Sequence, residues 1–198
     1  MNWIADAGHL RFWLVLSLLS LAMFSAHAQS SDRYKKWLDE DVRWIITPQE
    51  RAAFTKLTGD SQRDEFVVAF WELRNPTPGG AENSFKREHY RRLAYANVHF
   101  AFAEKDRAVP GWKSDRGRIY IVFGPPDAID FHPSGQYQRA SGARTSTLPY
   151  EVWSYRSIQG FGENVTVRFV DACHCGDYRQ MSAASDDHEL PLPTSPDD

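Results

Sequence analysis

The stretch that decides the fold runs from Val109 to Asp127 and reads VPGWKSDRGRIYIVFGPPD. At Pro110-Gly111 the spacing of apolar residues changes from helical to strand-like. The run Arg118–Phe123 is rich in β-branched and aromatic residues and predicts a strand. Gly124-Pro125-Pro126-Asp127 predicts the turn that ends it, because proline has no N–H to donate in a central ladder.

Upstream of this stretch, apolar residues recur at helical spacing and predict four helices. The first contains Tyr34 to Ile45 and must end before Pro48, since the residue before a proline avoids the helical region. Thr47 and Glu50 then form a capping box that starts the second helix, which stops at Gly59.

The third and fourth helices are separated by a loop that is rich in proline and glycine. Asp60 is expected to cap the third helix, which Asn75-Pro76-Thr77-Pro78-Gly79-Gly80 breaks. Asn83 is expected to cap the fourth, which runs to about Glu104 and carries Asn97 inside its apolar stripe.

Downstream of Asp127, the pattern predicts short strands. Ala128–Phe131 is a short returning strand, and His132–Leu148 is a long polar loop. Tyr150–Tyr155 and Asn164–Val170 alternate as strands, with Gly160–Glu163 linking them as a hairpin. The sequence therefore predicts an α+β fold in which about four helices precede a small antiparallel sheet.

The two ends of the chain do not read as parts of this fold. Residues 1–28 combine Arg11, an apolar run and the small-x-small site Ala26-His27-Ala28, a pattern typical of a secretory signal peptide cleaved after Ala28. An uncleaved N-terminal anchor is the alternative, and no membrane span is expected after cleavage. Residues 185–198 are acidic, lack Lys and Arg, and predict a disordered tail. One domain is expected between them, over residues 29–184.

Charge and cysteine content exclude some classes of function. Outside the leader and the tail, basic and acidic residues nearly balance, so nothing favours binding to nucleic acid. Cys173-His174-Cys175 offers too few ligands for a zinc site, and neither a metal nor a cofactor is expected. Export permits a disulfide. The sequence leaves open whether Cys173 and Cys175 are free, bridged to each other or joined to another chain.

Four stretches, in this order along the chain, resemble the motifs of the GWxTD domain, a family of exported bacterial proteins whose function is not established. The similarity spans roughly Tyr34 to Asp171. The stretches are Phe70–Pro78, similar to FWxxRDPTP; Asn83–Phe85 with Arg91–Asn97; Gly111–Gly117, similar to the signature itself; and Tyr120–Asp127 with Tyr150–Tyr155.

Three positions depart from the family pattern. Ser114 replaces the usual Thr and keeps a hydroxyl, whereas Asn75 and Ser84 stand where the family usually has Asp and Glu. If those carboxylates are catalytic in the family, this chain has lost them. A capping or turn role survives such changes better, because Asn and Ser also cap.

Two interpretations compete for the opening stretch. In the first, its polar residues hold a corner of the fold together, with Gly111, Gly117, Gly124, Pro125 and Pro126 in structural roles beside Thr47, Asn83 and Asn97. Asn97 is expected to be a buried amide tied to the Gly124–Asp127 loop. In the second, one groove binds a ligand through stacking and charge. Its residues would be Arg74, Arg92, Trp112, Asp115, Arg116 and Asp127.

Three classes of function follow from these interpretations. A binding module would recognise a protein, peptide or glycan in the periplasm or outside the cell, and an exposed Trp112 would favour it. An assembly component would use the sheet edge or the loop His132–Leu148. A hydrolase-like enzyme would use Asp115 and Asp127 as acid and base. The chain has no G-x-S-x-G, H-E-x-x-H or phosphate loop, so a non-catalytic binding or assembly role is the main expectation.

Overall fold

The computed structural model describes residues 32–138 and 144–181, with side chains except those of residues 136–138, 144 and 145. It confirms the α+β class, with helices mostly before the sheet. The leader, the acidic tail and the middle of the predicted loop lie outside the described residues. In the part that is described, no helix is long and apolar enough to cross a membrane.

The first three helices form a separate apolar layer. Helix α1 covers residues 32–41 and ends in the π-helical turn Trp37–Asp41, and it is followed by α2 (Pro48–Thr55) and α3 (Asp60–Glu72). The predicted capping box of Thr47 and Glu50 starts α2. Gly59, one residue earlier than predicted, is the N-cap of α3. The buried residues of this layer are Tyr34, Trp37, Leu38, Val42, Ile46, Phe54, Phe70 and Trp71.

Helix α4 is shorter than the sequence pattern predicts. It runs from Ser84 to His99, with Asn83 accepting a hydrogen bond from the N–H of Lys86 as its N-cap. The end of the predicted helix instead forms strand β1 (Phe102–Glu104), which pairs in a hairpin with β2 (Arg107–Val109). Lys105 and Asp106 both adopt positive φ between these strands, as a tight two-residue turn requires.

The predicted strand Arg118–Phe123 is wrong, because these residues belong to helix α5 (Asp115–Phe123). Ser114 caps the helix and Asp115 places a carboxylate in its first turn, and both features favour helix initiation. Neighbours surround the helix, so Ile119, Tyr120 and Ile121 are all buried and no polar face reveals a helical period. Tertiary packing thus overrides the strand propensity of the run.

The main sheet has four antiparallel strands in the order β3-β6-β7-β8. They span Ala128–His132 (β3), Tyr150–Ile158 (β6), Gly162–Val170 (β7) and Arg179–Met181 (β8). One face of β6 and β7 packs against α4 and α5 through Trp153, Val165, Val167 and Phe169. Strand β3 therefore forms one edge of the sheet and the short β8 forms the other.

The predicted loop His132–Leu148 is largely a β-hairpin. Gly135–Gln138 (β4) pairs with Arg144–Thr147 (β5), and the two strands continue the register of β3 with β6. The last pair of β3 with β6 is His132 with Tyr150, and the first pair of β4 with β5 is Gly135 with Thr147. The two pairs are three residues apart on both strands, so the register is unchanged. The pairing of β7 with β6 ends at Tyr150 and one further bond to Pro149, so β4 and β5 form a hairpin arm beyond the sheet. At a strand rise of about 3.3 Å per residue, the arm extends roughly 20 Å past His132.

Candidate functional site

The residues Gly111–Gly117, here called the signature corner, lead from β2 into the first turn of α5. Gly111–Lys113 form one 3₁₀ turn, and Ser114 is both the C-cap of this turn and the N-cap of α5. The Ser114 hydroxyl donates to the Gly111 carbonyl oxygen at 2.7 Å and accepts from the Gly117 N–H at 3.0 Å. With 1% of its surface exposed, this hydroxyl serves the fold and is closed to a ligand.

The two glycines of the corner are required by close backbone contacts. A Cβ on Gly111 would lie 1.8 Å from the carbonyl oxygen of Ala96 in α4. A Cβ on Gly117 would lie 1.9 Å from the carbonyl oxygen of Gly111. Both contacts are with main-chain atoms, which cannot move aside as a side chain can.

Trp112 is buried, with 6% of its surface exposed. The main-chain N–H of Trp112 donates to Asn97 Oδ1 at 3.0 Å, and its carbonyl oxygen accepts from Trp44 Nε1 at 2.8 Å. Asn97 is itself exposed, so its prediction as a buried amide tied to the Gly124–Asp127 loop is wrong. The Trp112 main chain thus links the helical layer, α4 and the signature corner.

Asp115 contacts the edge strand β8, and Arg116 contacts the inner strand β6 and the segment that precedes β8. Asp115 Oδ2 accepts from the Gln180 N–H at 2.8 Å, and Oδ1 is 3.3 Å from Arg118. Arg116 donates to Glu151 Oε1 at 2.8 Å and to the Gly176 carbonyl oxygen at 3.3 Å. Its guanidinium lies over the rings of Tyr178 and Phe100. This planar, stacked and paired arrangement is one that arginine provides better than lysine.

Arg92 and Asp127 lie at the other end of α5. Arg92 pairs with Glu88 at 2.8 Å and packs on Gly124, whose φ of 89° ends the helix. Asp127 accepts from both the N–H and the side chain of Arg156 at 2.7 Å. The Arg156 N–H, followed by its guanidinium, holds the pKa of Asp127 below its usual range. Pro125 and Pro126 connect Gly124 to Asp127 across the turn.

Arg74 belongs to the helical layer. It makes a two-pronged contact with Glu50 at 2.9 and 2.8 Å, and it also donates to the carbonyl oxygens of Phe70 and Ile45. The same Glu50 closes the capping box with Thr47, so Arg74 fixes the packing of α2 on α3. Asn75 caps the following turn by accepting from the Thr77 N–H.

The structure therefore does not bring the six proposed binding residues into one groove. Asp115 and Arg116 begin α5, whereas Arg92 and Asp127 lie beyond its last turn, and a helix of nine residues is about 13 Å long. Arg74 lies in another layer, and Trp112 is covered. Each of the charged members is paired with another group of the protein, so this set has no acid and base facing one another.

A cleft beside the signature corner involves different residues. It has a volume of ≈ 480 Å³ and mixes both signs of charge. It is lined by Asp39, Glu40, Arg43, Trp44, Arg51, Trp112 and Lys113. Two acids and three bases share its wall, so the charge distribution does not favour a particular class of ligand.

A second cleft of ≈ 390 Å³ lies between α4 and the end of α5. Glu88 and His89 contribute its titratable groups. Hydrogen bonds from Arg91 and then Arg92 lower the pKa of Glu88 to about 2. Burial lowers the pKa of His89, whose Nε2 donates to the Asp41 carbonyl oxygen at 2.6 Å. The arginine bonds stabilise an ionised glutamate, and burial favours a neutral histidine, so both groups have structural roles.

Cys173 and Cys175 are joined in a disulfide, which settles the state that the sequence left open. The buried Asp171 accepts from the N–H groups of Cys175 and Gly176 at 3.1 and 2.9 Å. Asp171 and the two sulfurs are also close enough to hold one metal ion. Because sulfur ligates metals as a thiolate, the bridge leaves the carboxylate as the main ligand.

The edge strand β3 carries two exposed apolar residues that are not among the residues predicted from the sequence to form a site. On β3, Ile129 is 51% exposed and Phe131 is 58% exposed. They stand opposite Trp153 and Glu151 and thus share the core-facing side of the sheet, beyond the cover of α4 and α5. The sequence signal that indicates these two residues is their alternation with Ala128, Asp130 and His132. The segment Ala128–His132 is called the β3 edge below.

Comparison with known proteins identifies the family. The model of the GWxTD domain matches residues 21–172, which is more than half of the chain. No curated protein and no solved structure matches the chain. The four resembling stretches of the sequence lie within the matched range. The chain belongs to the GWxTD domain family.

Proposed function

We propose that this chain is an exported, non-catalytic binding or assembly module that contacts its partner through the β3 edge and the hairpin arm. The observation that carries the proposal is the exposure of Ile129 and Phe131 on a strand whose outer side pairs with no other strand of residues 32–138 and 144–181. An unpaired edge is a template for another strand, and natural proteins seldom leave one apolar without a use.

The paired state of the signature residues supports the same function. Trp112, Asp115 and Arg116 are engaged inside the protein, so they support a stable scaffold rather than a ligand groove. Asp115 and Asp127 occupy opposite ends of α5, which gives no support to the hydrolase-like alternative. An extended polypeptide suits an open edge better than a glycan does, because main-chain N–H and C=O groups are what the edge offers.

Photo-crosslinking tests the contact surface. A photoreactive phenylalanine analogue replaces Phe131 in one variant and Leu73 in the control, and both are expressed in cells that secrete the full chain. Leu73 is 81% exposed but lies at the end of α3, away from the sheet. We expect a discrete adduct from position 131 alone. Identical adducts from both positions, or none from either, would contradict the proposed surface.

Export has its own measurement. Mass spectrometry of the protein recovered from the periplasm or the medium should find Gln29 as the first residue, as the small-x-small site indicates. Recovery of the chain in the cytoplasm with residues 1–28 still attached would contradict this part of the proposal.

A further inference from the structure

We propose that the partner of the β3 edge is a second copy of this chain, whose own β3 pairs with it antiparallel about a two-fold axis at Phe131. This inference rests on the proposed function and names the partner.

The backbone of β3 directs alternate residues outward. The Asp171 N–H donates to the Pro149 carbonyl oxygen at 2.9 Å, which extends the register of β7 with β6 by one residue. Odd-numbered residues of β6 therefore bond to β7, and even-numbered residues face β3. Consistently, the Ser154 carbonyl oxygen accepts from the Asp127 N–H at 2.9 Å.

The same alternation continues into β3. Ala128, Asp130 and His132 stand opposite the even-numbered residues of β6 and bond to them. Ile129 and Phe131 consequently direct their N–H and C=O groups away from the sheet. These are the two residues with exposed apolar side chains, so the free backbone groups and the free apolar surface coincide.

A two-fold axis perpendicular to the sheet allows three registers on this short strand, centred on Ile129, Asp130 or Phe131. Centring on Asp130 sets two carboxylates directly opposite one another, which destabilises an antiparallel pair. Centring on Ile129 sets Phe131 opposite the partner's Asp127. This register is unfavourable because it places an apolar ring against an acid that is already bonded to Arg156.

Centring on Phe131 gives complementary neighbours. Phe131 then meets the partner's Phe131, and Asp130 stands opposite the partner's His132. Within residues 32–138 and 144–181, Asp130 is exposed and its side chain makes no hydrogen bond or ion pair, so the carboxylate is available for such a contact. The His132 ring stacks on Tyr150 with 4.2 Å between ring centroids, which fixes it on the Asp130 side of the sheet.

Prolines limit the pairing to a closed dimer. Pro126 and Pro133 flank the β3 edge, and the missing N–H of Pro133 leaves about four hydrogen bonds across the axis. Both copies use the same edge, so the pairing is isologous and does not propagate into a filament. The dimer joins two four-stranded sheets into one continuous sheet.

Sedimentation equilibrium of the exported chain over a wide concentration range tests this dimer. The wild-type chain should dimerise, and Phe131→Lys should abolish dimerisation by placing two ammonium groups at the axis. Leu73→Lys adds the same charge away from the edge and should leave the dimer intact.

A charge exchange tests the register itself. Asp130→Lys sets a lysine against the partner's His132 and should weaken the dimer roughly tenfold. His132→Glu should weaken it similarly, because two acids then face each other. The double variant restores opposite charges across the axis and should recover the wild-type dissociation constant. Circular dichroism of each variant reports whether the fold is kept.

Several results would overturn the inference: a wild-type monomer at every concentration, a dimer that survives Phe131→Lys, or a double variant that does not recover. If the chain is a monomer while position 131 crosslinks to a different protein, the second-copy inference fails and the proposed function stands. If position 131 also gives no specific adduct, both fail.

Discussion

The main chain of Gly111 lies against the main chain of Ala96, so that a Cβ on residue 111 would sit 1.8 Å from the Ala96 carbonyl oxygen. This contact joins the signature corner to α4 without any gap for a side chain. It explains in steric terms why the first residue of the signature is a glycine.

Gly111→Ala should therefore destabilise the fold strongly. The extra methyl group must displace backbone on both sides, and we expect a cost of at least about 3 kcal/mol. The midpoint of thermal unfolding should fall by roughly 6–12 °C. The control is Gly160→Ala, where φ is also unfavourable at +85° but nothing lies within 4 Å. That variant should lose only about 1 kcal/mol. Equal losses would contradict the steric explanation.

Ser114→Ala should cost about 1–2 kcal/mol, because it removes the N-cap of α5 and the hydroxyl that bonds Gly111. Ser114→Thr, which restores the usual residue of the family, keeps a hydroxyl and is the matched comparison. Urea unfolding should separate the two variants, with the threonine variant nearer to the wild type. A threonine variant as unstable as the alanine one would exclude the hydroxyl as the main contribution.

Arg116→Gln should be far more destabilising than Arg156→Gln. Arg116 and Glu151 have side chains only 11% and 14% exposed, and removing one partner leaves a buried charge unpaired, which costs about 3–5 kcal/mol. Arg156, which pairs with Asp127, has an 87% exposed side chain, and its loss should cost no more than about 1 kcal/mol. Thermal unfolding of the two variants compares the same chemical change in two environments. A small loss at Arg116 would show that its pairing with Glu151 is not needed for the fold.

His89 should make the fold less stable in mild acid. Burial lowers the pKa of His89 in the folded chain, whereas the pKa of a histidine in the unfolded chain is about 6.5. As the pH falls below that value, the unfolded chain binds a proton that the folded chain refuses. Stability should fall by up to about 1.4 kcal/mol per pH unit until the folded-state pKa is reached.

The free energy of unfolding, measured from pH 7.5 to 5, checks this slope in the wild type, in His89→Gln and in the exposed-site control His99→Gln. The slope should be reduced in His89→Gln and retained in His99→Gln. A slope that persists without His89 would assign the acid sensitivity to other groups.

The sequence sufficed wherever a local signal and the tertiary structure agreed. The capping box at Thr47 and the N-cap at Asn83 depend on residues three apart, and both are present. The four resembling stretches identified the family correctly. The strands β6 and β7 alternate clearly because one face of each is buried and the other is exposed.

Prediction from the sequence failed where an element is buried on all sides or where strands pair over a long distance in the chain. Helix α5 has no polar face, so its β-branched run could not be distinguished from a strand. The hairpin arm contains no apolar alternation, and only its register with β3 and β6 defines it. The prediction of a single binding groove was wrong for a related reason. Asp115 and Asp127 are close in sequence and were assigned to one motif, but helix α5 separates them in space.

The single register shared by the arm and the β3–β6 pair has an evolutionary consequence. Adding or deleting residues two at a time, one on each strand, lengthens or shortens the arm while every pair in the sheet keeps its partner. A single unmatched insertion would instead turn the following side chains to the opposite face. Related chains could therefore carry arms of different reach on an unchanged scaffold, and thereby acquire different partners without remaking the core.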